Sequence, residues 1–198
     1  MSNMDDPKTE QKRAVILVQA FAAFTTYGYK RTTMDDIARA AGLSRPALYL
    51  LYRNKGDIFR ACMQVLMGDM QASVAQCFAG DAGVLAKVEA ALNAGIVLPY
   101  LRICDTPHGR EIFDAKYEFA SDLFLAWIGA VESEIAAGLA VEARKGHIDL
   151  TQTGISVERL ASLLLDAIEG MKMRMGHIDE VSVKLPDLVR LMIGPLTR

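Results

Sequence analysis

The sequence predicts an all-α protein of about nine helices, a small three-helix module at the N-terminal end of a larger helical body. Three observations predict it. Apolar residues recur at steps of three or four along nearly the whole chain, and no stretch alternates apolar with polar residues as a half-buried strand would. Glycines, prolines and small polar residues fall where helices would start and stop. The 198 residues are 52% hydrophobic and 23% charged, a globular composition with enough apolar mass for a sizeable core.

Each element has its own reason. Ile16, Ala20, Phe24 and Tyr27 share one face of a first helix from about Thr9, and Gly28 supplies the left-handed residue that ends it. Thr33 followed by Asp36 spells a capping box, opening a second helix that closes at Gly42. Ser44 caps a third helix, about Arg45 to Tyr52, with Pro46 in the first turn, where amides lack intrahelical partners. Asn54 caps a fourth, running through Ile58, Phe59, Cys62 and Leu66 toward Gly80. A fifth spans about Val84 to Cys104 with a kink expected at Pro99. Thr106-Pro107 reads as a cap and first-turn proline of a short helix, and a long one then runs to about Lys145 and stops at Gly146. Ser156 opens a helix ending near Gly176, and the last lies between Asp179 and Ile193, its start left open by Pro186.

Charge is unevenly spread. Between Lys8 and Lys55 nine Lys/Arg face three acids, a balance of +6 in a chain of net charge −2, so the remainder carries −8. A basic head on an acidic body points to nucleic acid. Cys62, Cys77 and Cys104 are far apart and odd in number, and His108, His147 and His177 show no ligand spacing, so no metal or cofactor is expected. The thiols read as reduced side chains, with redox sensing as the alternative. No contiguous apolar run reaches the roughly eighteen residues of a spanning helix, and the first residues are polar; the expectation is a cytoplasmic protein without a membrane partner. No phosphate loop, GxSxG, HExxH or glycine-rich dinucleotide turn occurs, which argues against an enzyme.

The densest punctuation lies in TTMDDIARAAGLSRPALYLLYRNKGDIF. Two short helices crossing steeply need a small residue at the crossing, a turn residue tolerant of positive φ, and a shared core. Ala38, Gly42 and the set Ile37, Ala41, Leu43 and Leu48 supply these. The arrangement is a helix-turn-helix whose third helix reads DNA. With Leu48 facing inward, Arg45 is able to bond a guanine edge, and Pro46, Ala47 and Leu50 are able to meet thymine methyls. Ser44 and Tyr49 suit phosphate oxygens, as do the helix starts at Thr33 and Lys55, where Lys55 adds a charge. Packing of Tyr49 and Leu50 against the fourth helix is the competing reading.

From Phe24 through Phe59 the chain resembles the DNA-binding domain of the TetR family of transcriptional regulators. The resemblance rests on Gly28-Tyr29, Thr32-Thr33, Asp36-Ile37-Ala38, Ala41-Gly42, Leu48-Tyr49 and Lys55. Leucines at 50 and 51 and Tyr52 depart from the family's usual histidine, aromatic and phenylalanine, and leave open which bases are read. The resemblance implies a DNA-binding domain over residues 1–53 and an effector-binding and dimerisation domain over 54–198, with the helix from about 54 to 79 as connector. It implies a homodimer on a palindromic operator, released by a small molecule. The dimer face would come from the last two helices: Leu160, Leu164, Ile168 and Met171 on one, Leu188, Leu191 and Met192 on the other. Closing the subunit's own core is the alternative for both stripes. The long helix carries Phe113, Tyr117, Phe124 and Trp127 at helical spacing. The family places its ligand cavity between that helix and the connector with Met63, Met67 and Met70, and methionines adapt to ligands of differing shape. An apolar or aromatic effector is expected. A DNA binder without ligand control (constitutive or thiol-sensing) and a protein-interaction module are the other readings.

Overall fold

The computed structural model describes residues 7–175 and 179–198. Gly176 and His177, and the side chain of Met175, lie outside the described residues. Ten α-helices follow in order: α1 (Pro7–Tyr27), α2 (Met34–Ala40), α3 (Arg45–Tyr49), α4 (Lys55–Cys77), α5 (Val84–Leu92), α6 (Leu98–Cys104), α7 (Gly109–Phe119), α8 (Ser121–Arg144), α9 (Val157–Met175) and α10 (Asp179–Ile193). A π-helical turn, Asn93–Val97, joins α5 and α6 into one continuous rod, so nine rods are present among the described residues, as expected. The only β-pairing there is an isolated antiparallel bridge between Ile148 and Thr197.

The chain divides into two compact units, 1–67 with 102–124 and 68–101 with 125–198. Compactness therefore cuts the chain elsewhere than at residue 53, because α7 folds back onto the first helices. In the first unit Ile16, Phe24, Ile37, Leu48, Ile58, Phe59 and Ile112 are almost wholly buried. Phe24, Tyr29, Phe59 and Phe119 form one aromatic cluster with centroids 5.2–6.5 Å apart. Gly56 lets Phe119 in: a Cβ there would stand 2.9 Å from the ring.

In the second unit Val88, Leu92, Ile135, Leu139, Leu160, Leu164, Ile168, Leu185 and Val189 form the core. Gly95 and Gly138 allow close approach, since a Cβ would meet Val74 at 2.6 Å and the Phe78 ring at 2.3 Å. A buried ion pair, Lys87 to Glu142 at 2.9 Å, crosses this core, and His147 Nδ1 lies 2.6 Å from the other Glu142 oxygen. Burial alone would raise the Glu142 pKa; hydrogen bonds from His147 and Lys87 outweigh it and bring it to about 2.

Several helix boundaries differ from those expected. Pro99 lies in α6, directly after the π turn. It lacks an N–H and its ring crowds the carbonyl four residues back, at Gly95, and the π turn containing Gly95 accommodates both. Thr106 closes α6 instead of opening α7: its hydroxyl donates to the Ile103 carbonyl, and α7 starts at Gly109. Ala120, at φ −147°, separates α7 from α8, so Phe113 and Tyr117 do not continue the stripe of Phe124 and Trp127. Arg60 stabilises the break, donating to the Phe119 carbonyl and, through both terminal nitrogens, to Asp122. The third helix ends at Tyr49 instead of Tyr52, and Pro186 sits inside α10 without ending it. Finally, Val84–Cys104 and Ser121–Arg144 are long and apolar enough, by length and composition, to cross a membrane, because scattered polar residues interrupt any contiguous run without lowering the mean much.

Candidate nucleic-acid interface

The helix-turn-helix forms as its caps dictate. Thr33 Oγ1 accepts from the Asp36 amide at 3.2 Å while the Asp36 carboxylate accepts from the Thr33 amide at 3.0 Å, a reciprocal capping box. The Thr33 hydroxyl, which donates to the Asp36 carboxylate at 2.6 Å, and the Thr33 amide hold the Asp36 carboxyl below its usual range. Gly42 takes φ +68° at the turn, and Ser44 Oγ accepts from the Ala47 amide at 3.3 Å to start α3. Leu48 of α3 is fully buried, as are Ile37 and, nearly, Ala38 of α2, the helix that α3 packs on. Tyr52, also buried, anchors the chain after α3, with the Arg13 guanidinium 5.4 Å from its ring.

This leaves Ser44, Arg45, Pro46, Tyr49 and Leu50 exposed and Ala47 half-buried. Leu50 is 87% exposed, which rules out packing against α4 as its role in this chain. Arg45 reaches Asp35 at 3.0 Å and lies 5.5 Å from the Tyr49 ring. Such an exposed pair is screened by water and weak, so a base edge or phosphate competes for Arg45 at small cost.

Lys55 departs most from expectation. Its ammonium does not face outward but donates to the carbonyls of Tyr29 (2.6 Å), Lys30 (3.2 Å) and Thr32 (2.9 Å), and lies 4.4 Å from the Tyr29 ring. All three ammonium donors are used, and burial pulls its pKa below the usual lysine range. The residue therefore staples the α1–α2 loop and offers no free charge to phosphate. Lys30, Arg31 and Arg39, so far counted only in the charge balance, are exposed as well. Arg31 and Arg39 line a groove of about 400 Å³ with Tyr27, Thr32 and Asp36. Their signal was the Lys30-Arg31 pair directly before the paired threonines.

Residues 16–62 match the family described as bacterial regulatory proteins, tetR family. Over that segment the chain is similar to the TetR family. It is 33% identical over 60 residues to the helix-turn-helix-type transcriptional regulator YhgD of Bacillus subtilis, covering 30% of this chain and 31% of that one. The chain thus spans about a third of the length of the curated relatives it matches. A transcriptional regulator from Cytophaga hutchinsonii superposes over 98% of this chain and 100% of its own, with TM-score 0.75 and 14% identity. SmeT, the repressor of a Stenotrophomonas maltophilia multidrug efflux pump, in complex with triclosan, superposes over 95% and 92%, with TM-score 0.66 and 14% identity. At such identities these two show the fold, an N-terminal helix-turn-helix domain with a helical C-terminal domain.

The residues expected in a TetR-family effector pocket divide between the two units: Met63, Met67, Phe113, Tyr117 and Phe124 in the first, Met70 and Trp127 in the second. Met63, Met67, Met70 and Trp127 are buried, Phe113 and Phe124 half-buried, and Tyr117 is 67% exposed. The Lys116 ammonium lies among Phe113, Tyr117 and Phe124, 3.5 Å from the Phe124 centroid. His108 contacts Arg31 and Glu111. Cys62 is buried and its Sγ donates to the Leu17 carbonyl; burial pushes its pKa up to about 12, which unsuits it to thiol sensing.

The expected TetR-family dimer face splits as well. Leu160, Leu164 and Ile168 are wholly buried within their own unit, so they close its core and have no area left for a partner. Met171, Leu188 and Met192 are half-buried and Leu191 is 76% exposed. Leu163, Met173 and Val183, none in the expected set, are exposed on the same two helices.

Proposed function

We propose that this chain is a transcriptional repressor that binds a palindromic operator as a homodimer and leaves it when a small apolar or aromatic molecule binds. The observation that carries the reading is the capped, five-residue α3, anchored by Leu48 and presenting Arg45, Pro46, Tyr49 and Leu50 to solvent within the +6 segment. So short a helix reads only a few base pairs, and a two-fold partner supplies the second half-site. Leu163 and Met173 on α9 and Val183 and Leu191 on α10 are the apolar surface that supports pairing. SmeT binds triclosan, and the buried methionines of α4 suit an adaptable apolar ligand here. A regulator of this kind works in the cytoplasm, where the chromosome is.

The test is footprinting on DNA flanking the chain's own gene, with Arg45→Ala alongside. Protection of a palindrome is expected, with a loss of about 1–3 kcal/mol per half-site in the variant and little change on mixed-sequence DNA. Equal loss on both duplexes would remove base reading from Arg45.

A further inference from the structure

The first unit holds a second basic groove, apart from the one that Arg31 and Arg39 line. It lies between the N-terminal half of α1 and the turn from α2 to α3, measures about 300 Å³, and is lined by Lys8, Gln11, Lys12, Val15, Ala41 and Leu43. Helical spacing brings the first four together. Positions 8, 11, 12 and 15 stand three and four apart on α1, so their side chains share one face of that helix. The opposite wall is fixed by its backbone: the Ala41 amide donates to the Ile37 carbonyl at 2.9 Å and the Leu43 amide to the Ala38 carbonyl at 2.8 Å. Between them Gly42, at φ +68°, is exposed, with open space where a Cβ would point.

Lys8 and Lys12 are both exposed, one helical turn apart, and like charges at that spacing repel. No acid among the described residues lines the groove to offset them, whereas the groove beside Arg31 and Arg39 includes Asp36. Glu10, between the two lysines in sequence, turns to Arg13 at 3.7 Å. An anion seated between the ammonium groups relieves the repulsion, and the Gln11 amide adds donors that suit its oxygens. Val15, Ala41 and Leu43 supply an apolar floor, with Val15 45% exposed. A sugar–phosphate strand, which sets apolar carbons between its charges, matches both features. Position narrows the partner to DNA. Leu43 is followed directly by the Ser44 cap and by Arg45, the first residue of α3. An α-helix about 10–12 Å across fills a major groove about 12 Å wide, so the parts of the module beside the start of that helix meet the flanking backbone.

We propose that this groove seats the sugar–phosphate backbone bordering the major groove that α3 reads. Lys12 takes one phosphate per subunit, Lys8 faces the same strand, and Val15, Ala41 and Leu43 rest against deoxyribose. Such a contact positions α3 along the duplex and carries no base preference. The inference rests on the DNA-binding reading above and adds α1 to the surface that touches DNA.

The test measures affinity for a mixed-sequence duplex as a function of salt, with thermal unfolding as the check that each variant is folded. Lys12→Gln makes the slope of log affinity on log salt shallower by about 0.9 per subunit, and Lys12→Arg keeps the wild-type slope. Two further variants separate a seat for the strand from a general loss of positive charge. Val15→Glu sets an acid in the groove and weakens binding by roughly tenfold or more at fixed salt. Val18→Glu places the same charge on the same helix, at a position 65% exposed and outside the groove, and binds like the wild type. A Lys12→Gln variant with the wild-type slope overturns the proposal, and so does a Val18→Glu variant weakened as much as Val15→Glu. A wild-type chain that binds no duplex at any salt overturns the DNA-binding reading itself, whereas binding that none of these variants alters overturns only the role of the groove.

Discussion

Lys55→Met separates two accounts of the same lysine. The substitution keeps the alkyl stem and removes the ammonium, so the carbonyls of Tyr29, Lys30 and Thr32 lose a shared partner. A hydrogen bond to a charged group contributes about 1.5–3 kcal/mol net. The Lys30 carbonyl is exposed and rehydrates, so it adds little; the other two are part-buried. Partial rehydration of those two, set against a lost cation–π contact of about 0.5–1 kcal/mol, leaves an expected destabilisation of about 2–4 kcal/mol. For a chain of this length that lowers Tm by roughly 5–15 °C. Thermal unfolding followed by circular dichroism, at matched subunit concentration, reads it. Below the transition the salt dependence of DNA binding should be unchanged, because the ammonium has no donor left for phosphate. A variant with wild-type Tm and a salt slope shallower by about 0.9 per subunit would show that Lys55 is a phosphate ligand after all, and the staple argument would fall.

Other perturbations test the remaining assignments. Gly28→Ala meets both a positive φ and the Glu111 carboxylate and should cost about 2–4 kcal/mol, whereas Gly42→Ala, with the same φ problem but open space around it, should cost only about 1 kcal/mol; urea unfolding compares them. Leu164→Glu should unfold the second unit by burying a charge in its core, while Leu191→Glu, at an exposed position, should leave helicity intact and raise the monomer fraction in sedimentation. Glu142 has a folded pKa of about 2, below its unfolded value of about 4.5, so its contribution is fully present above pH 4.5 and is lost as pH falls toward 2. Glu142→Gln should therefore flatten the acid limb of a stability–pH profile over that window, and an unchanged limb would assign it to other carboxylates.

The sequence by itself determined the helix-turn-helix, its caps and the resemblance of that segment to the TetR family. Capping boxes, first-turn prolines and left-handed glycines are relations between residues a few positions apart, so Thr33 with Asp36, Ser44 with Ala47 and Gly42 at the turn were legible before any fold was known. Helical periodicity likewise marked Leu48 as buried and Arg45 as outward. Only the tertiary structure decided the partners of side chains that act over long separations. Lys55 meets carbonyls 23 to 26 positions away, and Glu111 meets the Lys30 amide 81 positions away. A lysine at a helix start looks the same in sequence whether its ammonium faces phosphate or turns back on its own chain. Periodicity also runs unbroken across Ala120, because one buried residue in a non-helical conformation leaves the apolar spacing intact, so the break between α7 and α8 left no trace in the sequence. The same limit explains Leu164 and Leu191. Both belong to apolar stripes, and which stripe closes a core and which stays exposed depends on what docks against each helix, a matter of packing that spacing along one helix does not encode.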